Sequence, residues 1–192
     1  MALSDLLLDN LRLSLPGATD GILQLEIKNM LEEFCRETLA WRETIEVELE
    51  PDEDEYTLTP PSGTIVVDVT DSYHPSYSAS SVFTYGVLVL NPVPSLNDIA
   101  DPLTVELALK PDLSINQNLE DYVPDWMWQN YSDTLKNGTL YRMMQHVAKP
   151  WSNPQMAAYY RRLFFSETVL VRRRIRDERQ ADVYPWRYPR WA

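Results

Sequence analysis

The sequence is poor in the side chains that most often perform catalysis. Among 192 residues it has two histidines, His74 and His146, and a single cysteine, Cys35. No spacing typical of a zinc site, a phosphate-binding loop or a nucleophile elbow occurs, and neither histidine has an evident catalytic partner. Surface or helix-capping roles are therefore expected for the histidines, and a small buried role for Cys35. We expect no catalytic residue, no metal ligand, no cofactor and no enzymatic activity.

Membrane-spanning and secretory features are also missing. No window approaches the roughly 18 consecutive apolar residues that a membrane helix requires. The first residues lack the basic stretch and cleavage site of a signal peptide, and a single cysteine cannot form an internal disulfide. With 44% hydrophobic and 24% charged residues, the composition is typical of a soluble globular domain. We expect a cytosolic, soluble protein with no membrane contact.

Basic residues are in the minority and are unevenly distributed. The chain has 17 Lys and Arg against 29 Asp and Glu, a net charge of −12, which disfavours non-specific DNA binding. From Trp151 onward, however, nine arginines oppose four acidic residues, so this segment carries +5 and the first 150 residues carry −17. Ends of opposite sign suit subunits or rings that stack, because complementary fields orient the encounter.

Apolar residues at 3.6-residue spacing and capping residues predict three helices with a shorter one before them. These helices cover residues 3–13, 18–38, 125–148 and 154–179. Gly138 interrupts the apolar stripe of the third helix, and Lys149-Pro150 is predicted to end it. The fourth is about 39 Å long at about 1.5 Å per residue. A helix of that length with an arginine-covered end needs a neighbour beside it.

A β-rich region is predicted between the second and third of these helices. Ile45, Val47 and Leu49 alternate with glutamates, as in a half-buried antiparallel strand. Further short runs of β-forming residues follow at 56–59, 63–70, 82–85, 86–90 and 103–110. Proline-rich breaks separate them, which predicts a small antiparallel sheet or sandwich. Residues 72–81 are expected to form an exposed loop.

Two short stretches in this region have side chains that could form a site. Residues 52–55, Asp-Glu-Asp-Glu, offer oxygen ligands for Ca²⁺ but lack the glycine and spacing of an EF-hand loop, which favours a solvated acidic turn. Trp41 is expected to pack between the helix and the sheet and hold them together, while Arg42 and Glu43 form a local ion pair. A role for Arg42 at an interface is the alternative.

The C-terminal segment combines aromatic and basic side chains. Pro185 and Pro189 disfavour helix within residues 182–192, and the tryptophans and arginines there are the types that dominate interface hot spots. Exposed tryptophans favour aggregation, so we expect the segment to be buried. It either folds back onto its own core or acts as an arm that docks into a neighbouring subunit or partner ring, and the arm is preferred.

Several segments, taken in order, resemble a family of tailed-bacteriophage head-to-tail connector adaptors. They are Leu15–Asp20, Glu33–Ile45, Tyr56–Thr64, Leu107–Pro111, Val123–Trp126, Gly138–Met144 and Lys149–Ala157. The strongest are Phe34 with Thr38-Leu-Ala-Trp-Arg-Glu-Thr, and Lys149-Pro-Trp-x-x-Pro. Residues 71–100, rich in Ser, Tyr and Pro, match nothing in that family.

The resemblance implies an α+β fold, in which a helical bundle core carries an inserted small antiparallel β-domain and an extended C-terminal arm. The core is assigned to residues 1–42 and 120–180, the insertion to 43–119, and the docking arm to 181–192. It further implies a homo-oligomeric ring of about twelve copies beneath the portal protein, with a tail, tail-terminator or nozzle protein below. DNA would pass through the channel without specific binding, in a virion assembled in the host cytoplasm.

The residues expected to bind the portal or a neighbouring subunit lie in the last helix and in the arm. They are Arg172, Arg173, Arg176, Tyr184, Trp186, Arg187, Tyr188, Arg190 and Trp191. The alternative function is nucleic-acid binding through the arginine-rich helix, with phosphate contacts that weaken steeply as salt rises. Against it stand the acidic remainder of the chain and the lack of a helix-turn-helix, zinc or RNP-type motif.

Overall fold

A computed structural model describes residues 3–75, 80–114 and 123–183 of the chain. Within these ranges the helices are α1 (Leu3–Ser14), α2 (Asp20–Thr38), α3 (Asp125–Met144) and α4 (Pro154–Val183). The strands are β1 (Arg42–Val47), β2 (Glu55–Thr57), β3 (Thr64–Tyr73), β4 (Ser80–Thr84), β5 (Val87–Asn91) and β6 (Leu103–Pro111). The predicted α+β class is confirmed, with all six strands between α2 and α3.

α2 is the helix around which the other elements are arranged. Its buried residues, Leu23, Ile27, Met30, Leu31 and Phe34, repeat at three- and four-residue spacing and form the predicted apolar face. This helix packs on α3, α4 and the strand β6. It ends where Leu39 adopts the left-handed conformation (φ 55°) and donates its backbone N–H to the Cys35 carbonyl at 2.9 Å. The chain then turns directly into β1.

Three helices meet at Gly138, the glycine that interrupts the apolar stripe of α3. A Cβ at this position would overlap the side chain of Met30 on α2 and lie 2.8 Å from Cδ2 of Phe164 on α4. Met30 and Phe164 are both fully buried. The glycine therefore allows α2, α3 and α4 to approach one another closely, which explains the break in the stripe.

The strands form two three-stranded antiparallel sheets. β6 is the central strand of the first, between β1 and β3, and β5 is the central strand of the second, between β2 and β4. Alternate residues of β6, including Val105, Leu107 and Leu109, are fully buried, as expected for a central strand covered by α2. β1 is an edge strand of its sheet.

Several predicted boundaries differ from the structure. β3 extends to Tyr73 and β4 begins at Ser80, so the expected loop at 72–81 is wrong at both ends, because pairing with β6 and β5 extends the two strands. α3 ends at Met144, four residues before its predicted end at Ala148. α4 continues to Val183, so residues 181–183, assigned to the extended arm, are helical. The predicted boundary between residues 119 and 120 lies outside the described residues.

No helix in the described ranges is both long enough and apolar enough to cross a membrane.

Candidate functional site

α4 buries only a narrow stripe of its surface. Ala157, Phe164, Thr168 and Val171 are buried against the other helices, and their spacing of three, four and seven residues keeps them on one face. The helix has 30 residues and is therefore about 45 Å long at about 1.5 Å per residue. Most of that length presents its outer side to solvent.

The outer side of α4 carries exposed apolar side chains beside its arginines. They are Met156, Tyr159, Phe165, Val169 and Leu170. Val169 and Leu170, in the middle of the helix, keep 62% and 63% of their surface exposed. Apolar side chains grouped on a solvent-facing helix, next to charged ones, are typical of a protein–protein contact surface.

The three arginines predicted from the last helix, Arg172, Arg173 and Arg176, lie together at one groove. The groove has a volume of about 450 Å³ and lies between α4 and the C-terminal end of α2. Its other lining residues are Thr38, Leu39, Val169 and Ile175. It therefore joins apolar side chains to three guanidinium groups, and we call it the arginine groove.

The arginines of this groove are only weakly satisfied within the chain. Arg173 and Arg176 approach Asp177 at 3.6 and 3.8 Å. The side chains of these two arginines and of Asp177 are each more than half exposed. Exposed pairs of this kind contribute little free energy. Arg172 has no carboxylate within 4.0 Å in the part of the chain that the structure describes. The groove can therefore accept an acidic partner.

The remaining predicted partner-binding residues lie outside the described residues. They are Tyr184, Trp186, Arg187, Tyr188, Arg190 and Trp191. Their assignment to an arm stays a prediction from composition.

A second charged surface lies in the β-rich region. From Glu43 to Leu109 the sequence has thirteen acidic residues and neither lysine nor arginine. Seven of the thirteen fall within residues 46–55, and all seven are exposed. None of the seven forms an ion pair within the described part of the chain. Residues 52–55 were predicted to form a solvated turn. The lack of lysine and arginine over this long span is the sequence signal that indicates a charged surface.

The acidic turn, residues 50–55, is hydrogen-bonded to the side chain of Tyr56. The Tyr56 hydroxyl accepts a hydrogen bond from the Glu50 backbone N–H at 3.2 Å and donates to the Glu53 carbonyl at 3.0 Å. Two backbone hydrogen bonds, of 3.1 and 2.9 Å, tie residues 52 and 54 to residues 94 and 90. Burial raises the pKa of the Tyr56 hydroxyl above its usual value, so it keeps its proton. The carboxylates of the turn therefore extend from an ordered backbone.

Tyr56→Phe is expected to lower the free energy of unfolding by about 1–2 kcal/mol, because the hydroxyl makes two partly buried hydrogen bonds to the backbone. The amide of Glu50 should also exchange its hydrogen faster. Urea unfolding and amide exchange measure the two effects. Tyr85→Phe is the matched control, since Tyr85 is 100% exposed and should change neither. Equal behaviour of the two variants would mean that Tyr56 does not hold the turn.

An ion cluster joins α2 to α3. Arg142 donates from Nε to Glu26 Oε2 at 2.8 Å and from Nη1 to Glu33 Oε2 at 3.3 Å. The Glu26 side chain is only 11% exposed, and His146 Nε2 lies 3.6 Å from its other oxygen. Carboxylates this far removed from water need such partners. The cluster therefore fixes the packing of the two helices.

The Trp41-Arg42-Glu43 segment differs from expectation. Arg42 does not pair with Glu43; its Nε donates to the Leu39 carbonyl at 3.3 Å and its Nη1 lies 3.5 Å from Glu106 on β6. Glu43 instead accepts a hydrogen bond from Trp41 Nε1 at 3.0 Å. Successive residues of a strand face opposite sides, which separates Arg42 from Glu43. The Arg42 side chain is 20% exposed and makes both of these contacts within its own chain.

His74 and Cys35, whose side chains are of types that can act in catalysis, are both buried within the fold. His74 is buried, not at the surface as expected, and its Nε2 lies 2.8 Å from the Asp101 carbonyl oxygen. Cys35 is buried, as predicted, and burial raises the pKa of its thiol. Within residues 3–75, 80–114 and 123–183, no group of three or more His, Cys, Asp and Glu side chains could hold a metal ion.

Comparison with models of known protein families finds no match for this chain, and comparison with curated proteins finds no relative. The candidate site therefore rests on its own geometry: an arginine groove with apolar walls on one part of the chain and an acidic turn on another.

Proposed function

We propose that this chain is a structural virion protein, the ring-forming adaptor that links the portal to the tail in a tailed-phage head-to-tail connector. Its partners would be further copies of itself, the portal protein above, and a tail or nozzle protein below. About twelve copies would close a ring at the head–tail junction, around a channel that continues the DNA path. The proposal requires no catalytic step.

The observation that carries the proposal is the uncovered outer side of α4. A helix about 45 Å long leaves Val169, Leu170 and three groove arginines exposed, while its own subunit covers only the opposite stripe. A surface of that composition is stabilised when another protein covers it. Repeated copies of such a contact around a ring suit a structural role.

The architecture also supports the proposal. The resemblance implies a helical core with a β-insertion, and in this chain six strands lie between α2 and α3. The ends predicted to have opposite charge correspond to separate surfaces, the arginine groove on α4 and the acidic turn near β1 and β2. Complementary surfaces of this kind guide and orient association.

Nucleic-acid binding is the second candidate, favoured by one observation. Arg172, Arg173, Arg174 and Arg176 are all exposed within a single stretch of α4. The thirteen acidic residues between Glu43 and Leu109, however, would repel the phosphate backbone of a nucleic acid that extended over the β-rich region of the same subunit. The interaction protein is therefore preferred.

The test is reconstitution of DNA-filled phage heads that lack this chain. Adding the purified chain should prevent DNA loss and allow tails to join. Trp186→Ala/Trp191→Ala should fold normally and lose at least about tenfold in this activity, because each arm contact repeats around the ring and weak arms lose avidity together. Trp126→Ala, on the exposed side of α3, is the control and should restore heads fully.

Failure of the unchanged chain to restore heads would contradict the adaptor role. Full activity of Trp186→Ala/Trp191→Ala would contradict the arm alone. Tight binding to a duplex oligonucleotide, lost as salt rises, would favour the nucleic-acid candidate.

A further inference from the structure

We infer that the arginine groove of one copy receives the acidic turn, residues 50–55, of the next copy. This inference rests on the proposed ring and names the two surfaces that would mate between neighbouring subunits. The occupant it commits to is a second copy of this chain.

The groove has the chemistry of a receptor for carboxylates. Arg172, Arg173 and Arg176 each carry a planar guanidinium that matches a carboxylate with two parallel hydrogen bonds. Leu39, Val169 and Ile175 line the same groove, so a bound carboxylate would be partly shielded from water. That shielding strengthens the attraction between opposite charges.

The turn has the complementary chemistry. Glu50, Asp52, Glu53, Asp54 and Glu55 are all exposed and have no cationic partner in the described part of the chain. The Tyr56 hydroxyl and the backbone hydrogen bonds to residues 90 and 94 order the turn before any partner arrives. A preorganised turn loses little conformational entropy on binding.

Charge alone makes the unpartnered turn unfavourable. Like charges packed within a few residues repel one another, and that repulsion is relieved when a cationic surface covers them. The β-rich region offers no such surface, since no lysine or arginine occurs from Glu43 to Leu109. The four exposed arginines at 172–174 and 176 are the densest basic stretch of the chain.

The contact is between copies because one copy cannot make it with itself. β1 begins three residues after Leu39, at the edge of the groove, and ends just before the turn. Its six residues span about 20 Å at about 3.3 Å per residue. This length separates the turn from the groove of the same copy. A groove that binds a different surface on the next copy gives a head-to-tail contact, and contacts of that type form a ring when the rotation between neighbouring copies closes.

Other occupants fit the groove less well. The segment 184–192 has two arginines and no acidic residue, so it does not complement three guanidinium groups. A nucleic-acid phosphate would complement them, and it is one outcome of the test.

The test is a charge-reversal exchange with carbodiimide cross-linking, which joins only amines and carboxylates in direct contact. One variant is Arg172→Glu/Arg173→Glu and the other is Asp52→Lys/Glu53→Lys. Each alone presents like charges at both surfaces, whereas their equimolar mixture restores opposite charges. Because each variant alone supplies only the carboxylates or only the amines, the informative comparison is with mixtures that contain a control variant. We expect cross-links between the reversed groove and the reversed turn, identified by peptide mass spectrometry, to be at least about tenfold more abundant than cross-links to a control surface.

Two matched variants control for general charge effects. Arg161→Glu/Arg162→Glu reverses an adjacent exposed pair elsewhere on α4, and Asp68→Lys/Asp71→Lys reverses two exposed acids on β3. Mixtures that contain either control should give no enrichment. Equal cross-linking in the control mixtures, or no groove-to-turn peptide in the test mixture, would overturn the inference.

The outcomes also separate this inference from the proposed function. A chain that restores phage heads but shows no groove-to-turn exchange would retain the adaptor role and lose this subunit contact. A chain that shows the exchange but never restores heads would retain the contact and lose the adaptor role. Binding of a duplex oligonucleotide that Arg172→Glu/Arg173→Glu abolishes, without any exchange, would assign the groove to phosphate instead.

Discussion

Gly138→Ala should lower the free energy of unfolding by about 1–3 kcal/mol, although alanine is the better helix former by roughly 1 kcal/mol. The added methyl group would overlap Met30 and crowd Phe164, both of which are fully buried and cannot move into solvent. Crowding of a packed core then outweighs the gain in helix propensity. Urea unfolding followed by circular dichroism measures the difference.

The same substitution should reverse its sign when space is created for it. In a Met30→Ala background, which itself should cost about 2–5 kcal/mol, Gly138→Ala should become neutral or stabilising because its methyl group enters the vacated volume. Gly21→Ala is the control, since Gly21 is exposed on α2 with nothing within 4 Å of its added Cβ. Additive losses at positions 30 and 138 would mean that the three helices do not meet there.

Arg142→Ala should lower the free energy of unfolding by about 2–4 kcal/mol. It would leave Glu26, whose side chain is 11% exposed, and Glu33, at 22%, without their shared partner. Adding Glu26→Gln should recover part of the loss, because a neutral amide is less costly to keep away from water than a carboxylate. Chemical denaturation of the single and double variants gives both numbers.

Arg36→Ala is the matched control for Arg142→Ala. Arg36 also pairs with two glutamates, at 3.6 and 3.7 Å, but its side chain is 51% exposed. Pairs at the surface contribute at most about 1 kcal/mol. A loss at Arg36 as large as the loss at Arg142 would contradict a specific role for the α2–α3 cluster.

The helices were predictable from the sequence because their signals are local. Apolar spacing within residues 20–38 defines the buried face of α2 without knowledge of its partners. The same spacing assigns Met156, Phe164 and Val171 to one inner face of α4; Phe164 and Val171 are buried, whereas Met156 is 37% exposed. Periodicity defines which residues share a face but not where the neighbouring helix stops covering it.

The arrangement of the strands could not be predicted in the same way. β1 pairs with β6, about sixty residues later in the chain, and this pairing depends on a distant partner that no local pattern reveals. The strand predicted at 82–85 was found, but pairing with β5 extends β4 back to Ser80, where the serine-rich composition was misleading. The division into two separate sheets follows from the same long-range pairing.

Only part of the candidate site could be predicted from the sequence. The arginines at 172, 173 and 176 were predicted from their density, but the groove they line depends on the end of α2 lying beside α4. The acidic turn was recognised only as solvated. Its significance depends on the Tyr56 hydrogen bonds and on the lack of ion pairs nearby, and neither is encoded by a local motif.

The most direct test of the connector role is mass photometry of a portal ring from the same phage, alone and mixed with this chain. The portal should gain the mass of about twelve copies of the 22.3 kDa chain in one step. The chain without residues 184–192 should not add to the portal. A portal whose mass does not change in the presence of the full chain would contradict the central claim that this protein is a ring-forming adaptor.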